Sequence, residues 1–289
     1  MLPSDLPRPP RRRPDASKHD LGRLVVVGGA VGMAGAPALT AMAALRAGAG
    51  LVELVTPDAI ATVAASFDPC VMTSGLPTST AGTFTATAAA ALDDRVRRAT
   101  ALAVGPGMGR TDDVVALVGR LWLEAACAAV FDADALWALA RLPRDTLRRH
   151  AGPRVITPHA GEMARLAGHD GPTRVGRDQL EAAAGGLARD ADAVVVLKGP
   201  GTLVVAAGRE ARNETGNPGL ATAGTGDVLT GIVAALLAQG LAPFAAARLG
   251  VWLHGRSGDV AAAALGEWSL TARDVIERLH VAFLEAAGG

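Results

Sequence analysis

Short β-branched runs recur along this chain, and most of them stop at a glycine-rich or acid-bearing loop rather than at a hairpin turn. Arg23–Val27 runs into GGAVGMAG, Leu102–Val104 into GPGMG, and Ala128–Phe131 into DAD. Val155–Thr157 belongs to TPHAGE, and Val194–Leu197 leads into KGPGT. Leu51–Val55 is a further strand, and Leu203–Ala206 is expected to pair near the last of the series. Helical spacing fills the intervals at 36–47, 57–66, 85–98, 112–125, 228–239, 243–264 and 271–286, while 71–84 reads as loop. Continuous apolar strands alternating with helices predict an α/β chain with a mainly parallel central sheet flanked by helices. In such sheets ligands bind beyond the carboxyl ends of the strands, which is where these loops fall.

The chain has 289 residues, half of them hydrophobic, so one large domain over 20–289 is expected. Residues 1–19 are rich in Arg and Pro and offer little to pack, which predicts a disordered extension. They contain no apolar stretch of the kind a secretory signal needs; a transit peptide or a basic interaction arm is the competing reading. Net charge is zero, which gives no reason to expect nucleic acid or a membrane as partner. Cys70 and Cys127 lack metal-site spacing and read as reduced, which suggests the cytoplasm.

One loop carries the most chemistry. Asn217 to Asp227 (NPGLATAGTGD) feeds straight into a helix whose Leu229, Ile232, Val233, Leu236 and Leu237 share a face. The N–H groups of Ala223, Gly224, Thr225 and Gly226 would meet an anion there, aided by about half a positive charge at the helix end. Asp227 either caps that helix or takes a proton from a hydroxyl attacking the phosphate.

The other loops are more ambiguous. The glycines of GGAVGMAG do not make GxGxxG, so a dinucleotide fold with Glu53 as its ribose acid is disfavoured. GPGMG suits a closely approached backbone or a plain turn. Asp132 and Asp134 could bind a cation, with helix capping the preferred role for Asp134. His159 and Glu162 are too few for a closed zinc site. Glu162 could cap its helix or hold water on a magnesium ion, and His159 could touch a substrate. Lys198 is the only lysine beyond the N-terminal extension, and a compact ammonium beside Gly199, Pro200, Gly201 and Thr202 suits a phosphate better than an exposed hairpin does.

Taken in order, GGAVGMAGAP, AVGPGMGR, FDADAL, ITPHAGE, VLKGPGT and NPGLATAGTGDVLTGIVAALLAQG resemble the ADP-dependent NAD(P)H-hydrate dehydratases, over about residues 23–286. Thr225 replaces the usual serine, and Val31 and Met33 make the first loop less polar than is common. The resemblance implies a ribokinase-like three-layer fold and repair of hydrated NADH or NADPH (S epimer), with ADP as co-substrate and Mg²⁺ as cofactor. It implies Asp227 as base, with Ala36, Gly107, His159 and Asp227 on the hydrated dinucleotide. Lys198 to Thr202 and Gly226 would hold ADP or AMP, and Glu162 would organise the metal through water. It further implies a homo-oligomer, often a tetramer, and dehydratase activity without an epimerase domain. A small-molecule kinase, a non-catalytic nucleotide binder and a Rossmann oxidoreductase are the alternatives, in that order.

Overall fold

The computed structural model describes residues 3–169 and 175–288. In chain order the elements are β1 (Arg23–Val27), α1 (Gly35–Arg46), β2 (Leu51–Pro57), α2 (Asp58–Ala65), β3 (Met72–Leu76), α3 (Ala88–Arg98) and β4 (Ala101–Val104). Next come α4 (Asp112–Glu124), β5 (Ala128–Phe131), α5 (Asp134–Leu139), β6 (Arg154–Ile156), α6 (Ala160–Leu166) and α7 (Arg177–Asp190). The chain continues with β7 (Val194–Leu197), β8 (Leu203–Ala206), β9 (Arg209–Arg212), α8 (Thr225–Ala238), α9 (Pro243–Leu265) and α10 (Ala272–Ala287).

The strands form one sheet in the order β3-β2-β1-β4-β5-β6-β7-β8-β9. All pairings from β3 to β7 are parallel, and the last two are antiparallel. Alternate residues of each strand feed two cores. Leu24, Val26, Leu54, Ala103 and Val196 face α1, α8, α9 and α10. Val25, Val27, Leu102, Val104 and Val195 face α3, α4, α5, α6 and α7. Both faces are therefore apolar, as the unbroken valine runs required. The three-layer expectation holds.

Two strands escaped the sequence pattern. β3 (MTSGL) has weak strand propensity and exists because β2 offers it a parallel edge. β9 (REAR) is charged, which suits an edge strand, where an apolar sequence would invite aggregation. The N-terminal extension also departs from expectation. Leu6 is buried in the α1/α8/α9/α10 core, Arg248 bonds the Asp5 carbonyl and carboxylate, and Arg8 and Arg12 donate to the carbonyls of Ala287 and Gly48. One leucine and a few arginines suffice because the partner surface comes from remote parts of the chain.

Helix α8 is apolar around its whole circumference, and Val228 to Ala238 are all buried. It crosses α1 so closely that a Cβ on Gly231 would lie 2.2 Å from the Thr40 carbonyl oxygen. The abundant alanines of α1 and α9 serve the same end. Ala41, Ala43, Ala44, Ala246 and Ala247 lie wholly in this chain's own core.

Glu53 has a structural role. Its carboxylate accepts from Arg23 (2.7 Å), Arg95 (2.8 Å) and Ser74 (3.0 Å) while 6% exposed. Burial alone would raise its pKa, but the bonds from Arg95, Arg23 and Ser74 hold it below the usual range. A depressed carboxylate stabilises the fold above its unfolded pKa and loses that contribution as pH falls through its folded value. Glu53→Ala should cost about 3 kcal/mol at neutral pH by urea unfolding, since it strands two arginine charges, and the deficit should shrink below about pH 4.

Candidate active site

Every motif loop lies at the carboxyl end of the sheet. The β4–α4 loop is held open by glycine. Gly105, Gly107 and Gly109 all have positive φ (124°, 63° and 78°), and a Cβ on Gly105 would meet the Asp132 carbonyl oxygen at 1.9 Å. Asp134 does not cap α5. Its carboxylate instead accepts from Gly109 N and Arg110 Nε, both at 2.9 Å, so it braces this loop. Capping would need the aspartate one residue earlier; at the first helical position its side chain reaches the neighbouring loop.

Asp132, which follows β5, is 1% exposed and fully engaged. Oδ1 accepts from Lys198 Nζ (2.8 Å) and Oδ2 from Thr230 Oγ1 (2.7 Å). A cation site at Asp132 and Asp134 is not formed, because both carboxylates are occupied by protein donors. Lys198 Nζ also lies 3.9 Å from Glu162 Oε2. Burial alone would lower the Lys198 pKa, but Asp132, Glu162 and Asp227 outweigh it and raise it, so the ammonium stays charged.

His159 and Glu162 form a reciprocal cap on α6. His159 Nδ1 accepts from Gly161 N (3.0 Å) and Glu162 N (3.3 Å), and Glu162 Oε2 accepts from His159 N (2.8 Å). The Glu162 side chain is 10% exposed, and burial pushes its pKa up to about 7 against the pull of Lys198. His159 must be neutral to accept at Nδ1. Burial, with Lys198 nearby, lowers its pKa in that direction.

A cavity of about 630 Å³ opens between the β7–β8 loop, the 213–221 segment, the start of α8 and the middle of α9. Lys198, Gly199, Pro200, Gly201, Thr202 and Gly226, the six residues expected at a nucleotide, all line it. Gly199 and Gly201 have φ of 138° and 63°, and Arg177 clamps their loop by donating to the carbonyls of Lys198 and Gly201. On the far wall Asp259 accepts from Gly216 N and Asn217 Nδ2. His254 Nε2 lies 2.9 Å from the Thr225 carbonyl oxygen, and burial pulls its pKa down to about 4, so it donates as a neutral ring. No local sequence signal marked Arg177, His254 or Asp259, because each acts on backbone distant in the chain.

The glycine-rich turn is shaped by Gly224 (φ 90°), where a Cβ would lie 2.7 Å from Leu39 Cδ1. Thr225 spends its hydroxyl inside the turn, on the carbonyls of Leu220 (2.8 Å) and Thr222 (3.0 Å). The first helical bond of α8 runs from Val228 N to Gly224 O, so the N–H groups before it have no carbonyl of their own helix. A Cβ on Gly226 would stand 3.3 Å from Lys198 Nζ, which ties this turn to the lysine.

Ala36, Gly107 and Asp227 lie off that cavity's wall but near one another. A Cβ on Gly107 would be 3.2 Å from Ala36 Cβ and 3.1 Å from Met33 Cβ. The Thr40 hydroxyl donates to the carbonyls of Asp227 (3.0 Å) and Ala36 (3.3 Å). Asp227 thus stands at the junction, with Gly226 and Lys198 on one side and the Ala36–Gly107 pair on the other. Val31 and Met33 expose apolar side chains on the same first loop. The Asp227 side chain accepts no capping bond; burial and the charges of Asp132, Asp134 and Glu162 push its pKa up to about 7 although Lys198 opposes them.

These features define a ribokinase-like fold with a nucleotide-sized cavity beside a buried acid. A ribokinase-like superfamily protein from Enterococcus faecalis shares the fold (TM-score 0.79, 24% identity, 96% of this chain and 92% of that one). So does the ADP/ATP-dependent NAD(P)H-hydrate dehydratase from Bacillus subtilis crystallised with ATP and Mg²⁺ (TM-score 0.81, 27% identity, 96% and 95% covered). The profile of the NAD(P)H-hydrate dehydratase family matches residues 24–280, and the chain belongs to that family. It is 45% identical to the bifunctional NAD(P)H-hydrate repair enzyme Nnr of Moorella thermoacetica over 93% of this chain and 51% of that protein. It is 37% identical to the ADP-dependent (S)-NAD(P)H-hydrate dehydratase of Xanthomonas campestris over 92% of this chain and 89% of that protein. The chain spans about half the length of the bifunctional relatives it matches. Among the described residues no helix is long and apolar enough to cross a membrane.

A carboxyl whose folded pKa is raised keeps its full stabilising effect only below its unfolded pKa and loses it as pH rises through the folded value. Asp227, raised to about 7, therefore weakens the fold most in alkaline buffer. Asp227→Asn should raise Tm at pH 8 by roughly 2–4 °C and by only about a third as much at pH 5. Equal gains at both pH values would mean that Asp227 ionises normally.

Proposed function

We propose that this chain carries out the ADP-dependent dehydration of hydrated NADH or NADPH, returning the reduced cofactor with AMP and phosphate. The observation that carries this reading is the position of Asp227 between the nucleotide-sized cavity and the Ala36–Gly107 pair, in surroundings that make its carboxylate a base near neutrality. The ring hydroxyl attacks the β-phosphorus of ADP, its proton passes to Asp227, and AMP leaves. The C6–O bond then breaks, pushed by the ring nitrogen, phosphate departs, and loss of a proton from the adjacent carbon restores the reduced ring. Lys198 and the N–H groups of Ala223 to Gly226 supply positive potential where phosphoryl charge develops.

The B. subtilis relative's ATP and Mg²⁺ support a magnesium–nucleotide ligand here. The donor set fits a metal that arrives with its phosphates. Among the described residues no group of three metal-ligating side chains exists, and Asp132 is taken by Lys198 and Thr230, which leaves Glu162, 3.9 Å from Lys198, to face such an ion. Glu162 would hold such an ion through water, and the ion would neutralise phosphate charge. Burial raises the Glu162 pKa to about 7, and a cation beside it would lower it.

Hydrated NADH, ADP and Mg²⁺ should give rising absorbance at about 340 nm, with AMP and phosphate in equal amounts. A stable phosphorylated product would instead mark a small-molecule kinase. Asp227→Asn should keep AMP affinity and lower kcat by about 10²–10⁴-fold. For the wild type, kcat should fall as pH drops below about 7, because the base must be unprotonated.

A further inference from the structure

Asp132 is the acid of the cluster whose two oxygens are both taken by protein donors. It lies off the cavity wall, it is 1% exposed, and both oxygens already accept bonds of 2.7–2.8 Å. The fold nonetheless invests in its position. Ala133, the next residue, adopts φ 52° and ψ −120°, a strained conformation for a residue with a Cβ. Gly105 lacks the Cβ that would strike the Asp132 carbonyl, and Asp132 N donates to Val104 O at 3.0 Å. Thr230, which holds Oδ2, is fully buried one turn beyond Asp227 on α8.

Lys198 Nζ lies 3.9 Å from Glu162 Oε2 and beside Gly226, the residue before Asp227, whose charge it feels. Paired with Asp227, Lys198 would neutralise the base and spend a donor needed elsewhere. Paired with Asp132, it leaves Asp227 free and keeps other N–H bonds for the cavity that it lines. We propose that Asp132, fixed by Thr230, is a positioning residue that holds the Lys198 ammonium off Asp227 and so keeps Asp227 available as the base. This rests on the phosphoryl-transfer reading above. The groups facing Asp227 are Lys198, Asp132, Asp134 and Glu162; Arg110 pairs with Asp134, which leaves Asp132 to balance the lysine.

The test is Asp132→Asn, which keeps the shape, lets the amide oxygen accept from Lys198, and removes the charge. The kcat should fall about 10²-fold with KM for ADP changed less than about threefold, and the acid limb of the kcat profile should move down by about one pH unit. A kcat within about threefold of wild type, or a loss of kcat with an unmoved acid limb, would overturn the proposal. Titration of the Asp227 carboxyl by ¹³C NMR in both proteins decides the same point without turnover. A lower Asp227 pKa in Asp132→Asn is expected, and an equal one overturns the idea. If the wild type shows no dehydration, the proposed function fails while this titration still reports on Asp132. Should Asp132→Asn not fold, Thr230→Val should lower kcat about tenfold and Thr230→Ser restore it; an undiminished Thr230→Val would count against Asp132.

Discussion

The architecture depends on burying one helix. α8 has no polar face between Val228 and Ala238, so it can exist only where sheet and helices enclose it. It lies on β4 and β5 beneath α1, α9 and α10. Its polar chemistry lies at its N-terminal end, from Thr225 to Thr230, which emerges at the carboxyl ends of the strands. The apolar length of the helix therefore decides where its N-terminus, and with it Asp227, must stand. The close crossing with α1 at Gly231 carries the same placement to Ala36, because Thr40 bonds both backbones.

Around that terminus the balance of charge governs the chemistry. Asp132, Glu162 and Asp227 share one lysine in surroundings of low polarity. Burial first, and then the negative charge that a single ammonium cannot balance, raise the pKa values of Glu162 and Asp227. The proposed phosphoryl transfer would use both a surplus of negative charge that suits a cation and a carboxylate that accepts a proton. The neutral His254 and the clamps from Arg177 and Asp259 hold the cavity wall.

Much of this was legible in the chain. Valine runs ending in glycine loops implied a parallel sheet with a site at one end, and the order of the loops implied the family. The sequence was less informative where a residue's role depends on a remote partner. The glycine pattern argued against Glu53 as a ribose acid but did not show its role, which Arg23 and Arg95 decide by pairing with it. Asp134 looked like a cap, but it braces Gly109. β3 and β9 carry no strand pattern because edge pairing, rather than burial of alternate side chains, creates them.

The amino-acid sequence alone determined which segments are strands of the core, which loops must lack Cβ atoms, and that α8 must be buried. Those are properties of periodicity, volume and backbone freedom, which are local. Tertiary structure alone decided which carboxylate meets Lys198, that Thr225 turns its hydroxyl inward, and that Asp227 stands between a cavity and the Ala36–Gly107 pair. Partner choice depends on distance and desolvation between groups far apart in the chain, 98 residues for Asp132 and Thr230 and 187 for Thr40 and Asp227, and only the folded chain brings them together.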